Sequence, residues 1–320
     1  MAFASGSEVR VAYIAESAFG TTPATPVFKV ARVTSGGLRT NKQTGVSDER
    51  RADRNVSDVF LLGLGAGGSY EAELSYASFD DWFEGTLGGT WASDVLKNGT
   101  VRRSFTFEET RELGTTDSFS RFTGATFNGF SLSLAANGVA GLSFDLLAKQ
   151  ETLATAIVSG ATYTAANTNA IMTAPRSVSG LEVGGETLKV MSLSIEATNN
   201  LRERPEVGSL YSNEFGQGRF EVTGTVEVYF ESNDAYQDVL SHASGALEFT
   251  IGDVTTEKYT FLLPKIIFMD GEITAGGNDD DVMVSIPFQG VFDTSAACSL
   301  EITREVALLR PSLSQMTYNS

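Results

Sequence analysis

Glu71 and Glu73 stand two residues apart in an alternating run. On a strand they share one face with side chains roughly 7 Å apart, a separation that paired-carboxylate chemistry such as glycoside hydrolysis could use. No sugar-binding aromatic cleft is recognisable beside them. Asp279-Asp280-Asp281 offers carboxylates to Ca²⁺ but lacks the alternate ligands and terminal Glu of a calcium loop, and reads as a charged turn. Leu62-Gly63-Leu64-Gly65-Ala66-Gly67-Gly68 has the glycines of a phosphate cradle. A phosphate loop must open a helix, whose N–H groups hold the anion; here a strand follows, so the glycines mark a turn or bulge. The sole histidine, His242, has no identifiable triad partners and reads as solvent-facing. The sole cysteine, Cys298, cannot form an internal disulfide. Nothing here demands catalysis, and no cofactor or metal is expected.

The elements that must position these residues are mostly strands. Tyr70, Ala72, Leu74 and Tyr76 alternate with Glu71, Glu73 and Ser75; Phe220, Val222, Val226, Val228 and Phe230 alternate with polar neighbours. Similar runs occur at 130–134, 142–146, 193–196 and 282–288. Each predicts an antiparallel strand with one buried and one wet face. Glycine pairs at 36–37, 184–185 and 276–277 predict turns. Ser78–Leu87 reads as a short helix, with Ser78 as cap, Asp80 and Asp81 at its positive end, and Phe79, Trp82, Phe83 and Leu87 at helical spacing. Ser232–Leu240 is a second candidate.

The two helices follow matching series: a strand (30–38 or 188–197), a polar loop (41–58 or 199–213), and a Gly-led strand ending at 73–76 or 227–230. Two similarly built β halves, a weak internal duplication, are expected. The division is an arm at 1–30, a first half at 31–151, a connector or projecting loop at 152–176, and a second half at 177–320; the halves could also form one composite domain.

The chain of 320 residues carries 40 acidic and 23 basic side chains, a formal net charge of −17. That charge argues against a general nucleic-acid binder. No apolar run approaches the ~18 residues of a membrane span, so no membrane partner is expected. The opening MAFASGSEVR has no apolar core of a secretory signal. Residues 39–54 oppose the acidic trend, with Arg39, Lys42, Arg50, Arg51 and Arg54 against Asp48, Glu49 and Asp53. Such a window is a solvated loop, or a basic arm that meets an acidic surface, including that of another copy.

Ala15-Glu16-Ser17-Ala18-Phe19-Gly20-Thr21-Thr22-Pro23-Ala24-Thr25-Pro26 resembles the amino-terminal arm of long-tailed phage tail tube proteins, the major tail proteins. Leu38-Arg39 with Ser47-Asp48-Glu49-Arg50-Arg51-Ala52-Asp53-Arg54 resembles their loop segment. Gly68 to Tyr76, Phe79-Asp80-Asp81, and Leu87 with Trp91 follow in the family order. Gly218 to Gly224, Tyr229-Phe230 and Val284 to Gly290 continue it. The ordered set spans most of the chain.

The resemblance implies a mainly β fold: tail-tube β-sandwiches with a flanking short helix, stacked as rings into a hollow conduit for DNA. It implies a virion protein assembled in the host cytoplasm. Its partners would be other copies of itself, in six-fold rings, with three-fold pseudo-six-fold rings as the alternative, and tape-measure, terminator and tail-tip proteins beyond. On this reading Glu71, Glu73, Asp145, Glu196, Glu221 and Glu227 line the lumen and repel DNA, which passes without specific binding. Arg39, Lys42, Asp48, Arg50, Arg51, Asp53 and Arg54 belong to an inter-ring loop (39–66), and Phe19, Pro23 and Pro26 are the arm's contacts with adjacent copies. The rival readings are another virion or cell-surface β-sandwich binding protein, and a glycan-active β-enzyme using Glu71 and Glu73.

Overall fold

Nearly every alternating segment is a strand. The computed structural model describes residues 3–183, 188–252 and 257–305. The first half contains β1 (Val9–Ala15), β2 (Val27–Val30), β3 (Val33–Val46), β4 (Val59–Glu73), α1 (Asp80–Leu87), β5 (Val95–Lys97), β6 (Phe105–Arg111), β7 (Ser118–Ala135), β8 (Gly141–Ala148) and β9 (Gln150–Ala154). The chain continues through β10 (Thr162–Thr164), α2 (Ala174–Ser177), β11 (Val178–Val183), β12 (Val190–Thr198), β13 (Arg202–Glu203) and β14 (Phe215–Gly216). It ends with β15 (Glu221–Tyr229), α3 (Asp234–Leu240), β16 (Ser244–Gly252), β17 (Lys258–Phe268), β18 (Glu272–Ala275), β19 (Val282–Gly290) and β20 (Glu301–Glu305).

Eight of these strands form one continuous antiparallel sheet in the order β3-β4-β8-β7-β12-β15-β19-β18. Two long strands leave it to build the opposing layer. The first part of β7 pairs with β6 and β9. β17 pairs with β16 and β20, and only Ile266–Phe268 reach β19.

Helix α1 fills the space between the layers, because its three large apolar side chains, Trp82, Phe83 and Leu87, and that of its N-cap residue Phe79 have nowhere else to be dry. Trp82, fully buried, meets the rings of Tyr13, Tyr70, Phe79, Phe107, Phe127 and Phe144 at centroid distances of 5.1–5.9 Å. Phe83 touches Phe130 and Phe144 of the first half and Tyr259 and Phe261 of the second, so one helix ties the halves together. Gly88 ends the helix in the left-handed conformation, φ 61°, and donates its N–H to the Glu84 carbonyl.

Several expectations need correction. Ser78 does not cap α1: Phe79 holds that position without a side-chain cap, and the Ser78 hydroxyl bonds Asn167 instead. Asp80 and Asp81 do occupy the first turn, but Asp80 is engaged by the Tyr259 hydroxyl at 2.5 Å and by Arg304 at 2.6 Å. The polar loop expected at 41–58 is strand up to Val46, because β3 and β4 form one long hairpin that pairs Val46 with Val59. The glycines at 63–68 lie within β4 rather than in a turn, and the expected irregularity is a bulge opposite Gln43 and Thr44. Gly68 is required by close packing: a Cβ there would lie 2.2 Å from the Gly37 carbonyl oxygen. Residues 152–176 lie along the first half: Thr162–Thr164 pair in parallel with Val27–Lys29, and the Asn167 and Asn169 side chains donate to the Tyr76 carbonyl. The turn expected at Gly184-Gly185 lies outside the described residues.

Candidate functional site

Directly paired residues of an antiparallel ladder point to the same side of the sheet. The register therefore fixes which side chains share a face. One row runs Ser35, Glu71, Ser143, Ser131, Glu196, Thr223, Gln289 across seven strands. The row above it contains Ser69, Asp145, Gly129, Thr198 and Glu221. Below lie Glu73, Gly141, Ser133, Ser194 and Thr225, then Ser192, Glu227, Ser285 and Glu272. All six acids singled out from the sequence thus share one face. The opposite face is apolar and buried, with Tyr70, Phe144, Phe130, Ala197, Val222 and Val226 among its residues.

The face is a wall of carboxylates set among small hydroxyls. Ser143 donates to Glu71 at 2.8 Å, and Ser192 donates to Glu227 at 3.0 Å. Glu221 differs: Asn200 and Arg219 bond it and hold its carboxyl below the usual range. Asp145 shows what the crowding does. Burial first, then the charges of Glu196 and Glu71, push its carboxyl above the ordinary value.

A carboxyl raised in the fold costs stability when ionised, and that cost vanishes below its unfolded value. Asp145→Asn should therefore raise the melting temperature of the monomer by about 1 °C at pH 7. The gain should disappear near pH 3, where the wild-type carboxyl is protonated. Thermal melts at the two pH values check the sign.

The hairpin residues divide between faces. Arg39 pairs with Gly67 and stands on the acidic face, whereas Lys42, paired with Leu64, stands on the other. Arg50, Arg51, Arg54, Asp48 and Asp53 lie in the exposed loop that closes the hairpin. Arg51 bonds Asp53 at 2.9 Å and holds its carboxyl down at about 2. Arg50 and Arg54 make no ion pair among the described residues. Around them Val46, Val56, Val59, Phe60, Leu61 and Leu62 are 41–64% exposed, an apolar surface that the sequence reading overlooked.

The arm residues lie against their own chain. Phe19 packs edge-on to Phe215 at 5.7 Å, Pro26 is buried, and Pro23 is half-buried. Two buried carboxylates on β6 were also missed. Glu109 accepts from the Leu38 N–H at 2.9 Å, the Tyr70 hydroxyl at 2.9 Å and Arg111 at 2.6 Å, which anchors the hairpin base. Glu108, fully buried, accepts from Arg121 at 2.6 Å and from Tyr163. Adjacent acids on an aromatic strand were the available signal, since alternation must turn one of them inward.

No helix among the described residues is long and apolar enough to cross a membrane. No curated protein sequence matches the chain. A family model described as phage tail tube protein matches residues 6–290. That match runs from just before β1 to the end of β19 and takes in the whole acid-faced sheet and its hairpin. The chain therefore belongs to the phage tail tube protein family, and is a structural subunit of the virion's tail tube.

Proposed function

We propose that copies of this chain close side by side into rings with the acidic face inward, and that the stacked rings conduct DNA. The carrying observation is that Glu71, Glu73, Asp145, Glu196, Glu221 and Glu227 share one face of one continuous sheet. A bore lined by carboxylates repels phosphates, and hydroxyls between them keep the wall wet, so DNA slides without a binding site. The role is structural, not catalytic; Glu71 is engaged by Ser143 as part of that wall.

The strand count bears on symmetry. Each half supplies four strands to the wall, which supports reading 31–151 and 177–320 as equivalent tube units. Three chains give 24 strands; at ~4.8 Å spacing and ~40° tilt the barrel is about 48 Å across between backbones. Side chains leave a bore of roughly 40 Å, enough for a DNA duplex roughly 20 Å across. Six chains would give a barrel of about 96 Å, far wider than the task needs. This width favours the alternative, three-fold pseudo-six-fold rings, over the six-fold rings expected from the resemblance.

Stacking falls to the β3–β4 hairpin. Its tip lies at one end of the sheet; the turn between β18 and β19, with Asp279, Asp280 and Asp281 exposed, lies at the other. Head-to-tail stacking brings Arg50 and Arg54 toward those acids, and such a heterologous contact repeats without limit. Tape-measure, terminator and tip proteins would set the tube's length and ends. The arm would brace neighbours through its exposed residues, since Phe19 and Pro26 are occupied within the chain.

Electron microscopy of concentrated protein, seeded with tail-tip complexes, should show hollow tubes of uniform bore and three-fold rings. Alanine at Arg50, Arg51 and Arg54 together should leave folded, unpolymerised protein and lower tube yield at least tenfold. Wild-type protein that never forms tubes would overturn the reading, and tubes from the triple variant would remove the hairpin from it.

A further inference from the structure

Gly63 and Gly65 belong to a hairpin that leaves the acidic wall early. β8 pairs with β4 only from Ala66 to Glu73. Beyond Ala66, β3 and β4 continue as a two-stranded ribbon out to Val46 and Val59. Such a ribbon is marginal in water by itself. The second half extends no such hairpin. β12 and β15 stop pairing at Thr198 and Glu221, and the chain between them crosses to the first half.

That crossing chain takes up the edge of β4 where β8 ends. The Leu64 N–H donates to the Leu210 carbonyl at 2.7 Å, and Leu64 bridges Tyr211 in parallel. Gln43, opposite Gly63 on β3, donates its side-chain amide to Glu203 at 3.4 Å. Gly65 leaves room for this approach: a Cβ there would lie 3.2 Å from Oε1 of Glu203. Residues 201–217 are themselves held in place. Arg202 and Glu203 pair with Gly216 and Phe215. Arg204 bonds Glu214, and so does Arg102, from the segment after α1, at 3.4 Å. Phe215 is 5% exposed and packs on Phe19. At the root, the buried Asn199 amide donates to the carbonyls of Thr86 and Phe127 at 2.8 and 3.1 Å. A line of contacts thus runs from α1, through residues 201–217, to the hairpin.

We propose that residues 201–217 of the second half are a strut that fixes the angle of the first half's β3–β4 hairpin in the free chain. The hairpin then meets another copy already shaped, and stacking does not bear the entropy of ordering it. Leu210 and Tyr211 are the positioning residues, acting through the Leu64 amide. The inference rests on the reading of the hairpin as the stacking element, but the strut itself is a property of the unassembled chain.

Hydrogen exchange of the soluble full chain tests it. Amides of 59–65 and of 210–216 should be protected together. Leu64→Pro removes the N–H that serves the strut and spares the β3 ladder, because successive amides of a strand point to opposite edges. It should speed exchange across 59–65 roughly tenfold. It should slow seeded tube growth by a similar factor, while 142–148 exchange as in wild type. Glu214→Ala, a change at a partly exposed side chain, should act in the same direction. The double variant Leu64→Cys, Tyr211→Cys places two thiols at the bridge, within disulfide reach, and native Cys298 is buried and takes no part. Oxidised, this locked chain should build tubes as fast as wild type. Rapid exchange of 59–65 in the wild-type monomer would overturn the strut. So would a locked chain that assembles only after reduction, because the hairpin would then have to leave the strut to stack. Wild-type chains protected at 59–65 that never form tubes would keep the strut and sink the stacking reading.

Discussion

Tails built from a chain carrying Glu71→Lys and Glu196→Lys should assemble normally and fail to release their DNA. Both positions lie on the same row of the wall, linked through Ser143 and Ser131. Each swap changes the local charge by +2, so every copy gains +4 at one level of the proposed bore. DNA phosphates would then exchange counterions for lysines at each ring they pass. Added over a stack of the proposed rings, weak contacts would hold the duplex where the native face would repel it. DNA release should fall at least tenfold at low salt and recover in part as salt rises, because counterion release weakens with ionic strength. The double glutamine variant separates repulsion from attraction: it removes negative charge without creating phosphate contacts, so release should remain near normal. Measured release from morphologically intact tails decides the matter. Normal release by the lysine variant would remove these acids from the lumen.

The largest effect on the fold itself is expected at Trp82. Its ring meets six other aromatic rings and joins the layers. Trp82→Ala removes the transfer energy of the indole and leaves a cavity that the rigid strands around it cannot fill. The cost should be about 3–5 kcal/mol, against a total stability of order 5–15 kcal/mol for a typical protein. The melting temperature should drop by roughly 10 °C. Trp82→Phe is the informative companion. The indole Nε1–H is buried and has no hydrogen-bond partner among the described residues, so phenylalanine keeps an aromatic plug and discards that donor. Its cost should stay under about 1.5 kcal/mol. Equal losses in both variants would mean that the packing account of this core is wrong.

The face shared by Glu71, Glu73, Asp145, Glu196, Glu221 and Glu227 was legible in the sequence, whereas Glu272 on the same face was not singled out. Strand periodicity is two, so a charged residue between buried neighbours must point away from the core, as Glu71 does between Tyr70 and Ala72. The hairpin was harder to read. Residues 41–58 are polar because both faces of β3 are wet there, and a strand with two wet faces has no hydrophobic alternation to reveal it. The cap of α1 was misread because the Ser78 hydroxyl donates to Asn167, a partner far along the chain that local patterning does not show.

Charge, alternation and motif order are local properties of the chain, and by themselves they determined a β protein with one acidic face, a basic window and a tail-tube pattern. Only the tertiary structure decided which strands are neighbours. Pairing of β7 with β12 makes one continuous sheet, brings Glu196 near Asp145, and leaves β18 and β3 as its outermost strands among the described residues. The physical reason is that strand neighbours are chosen by long-range hydrogen bonding and by the burial of facing side chains, such as Leu134 against Leu193, across sequence separations that local patterning cannot encode.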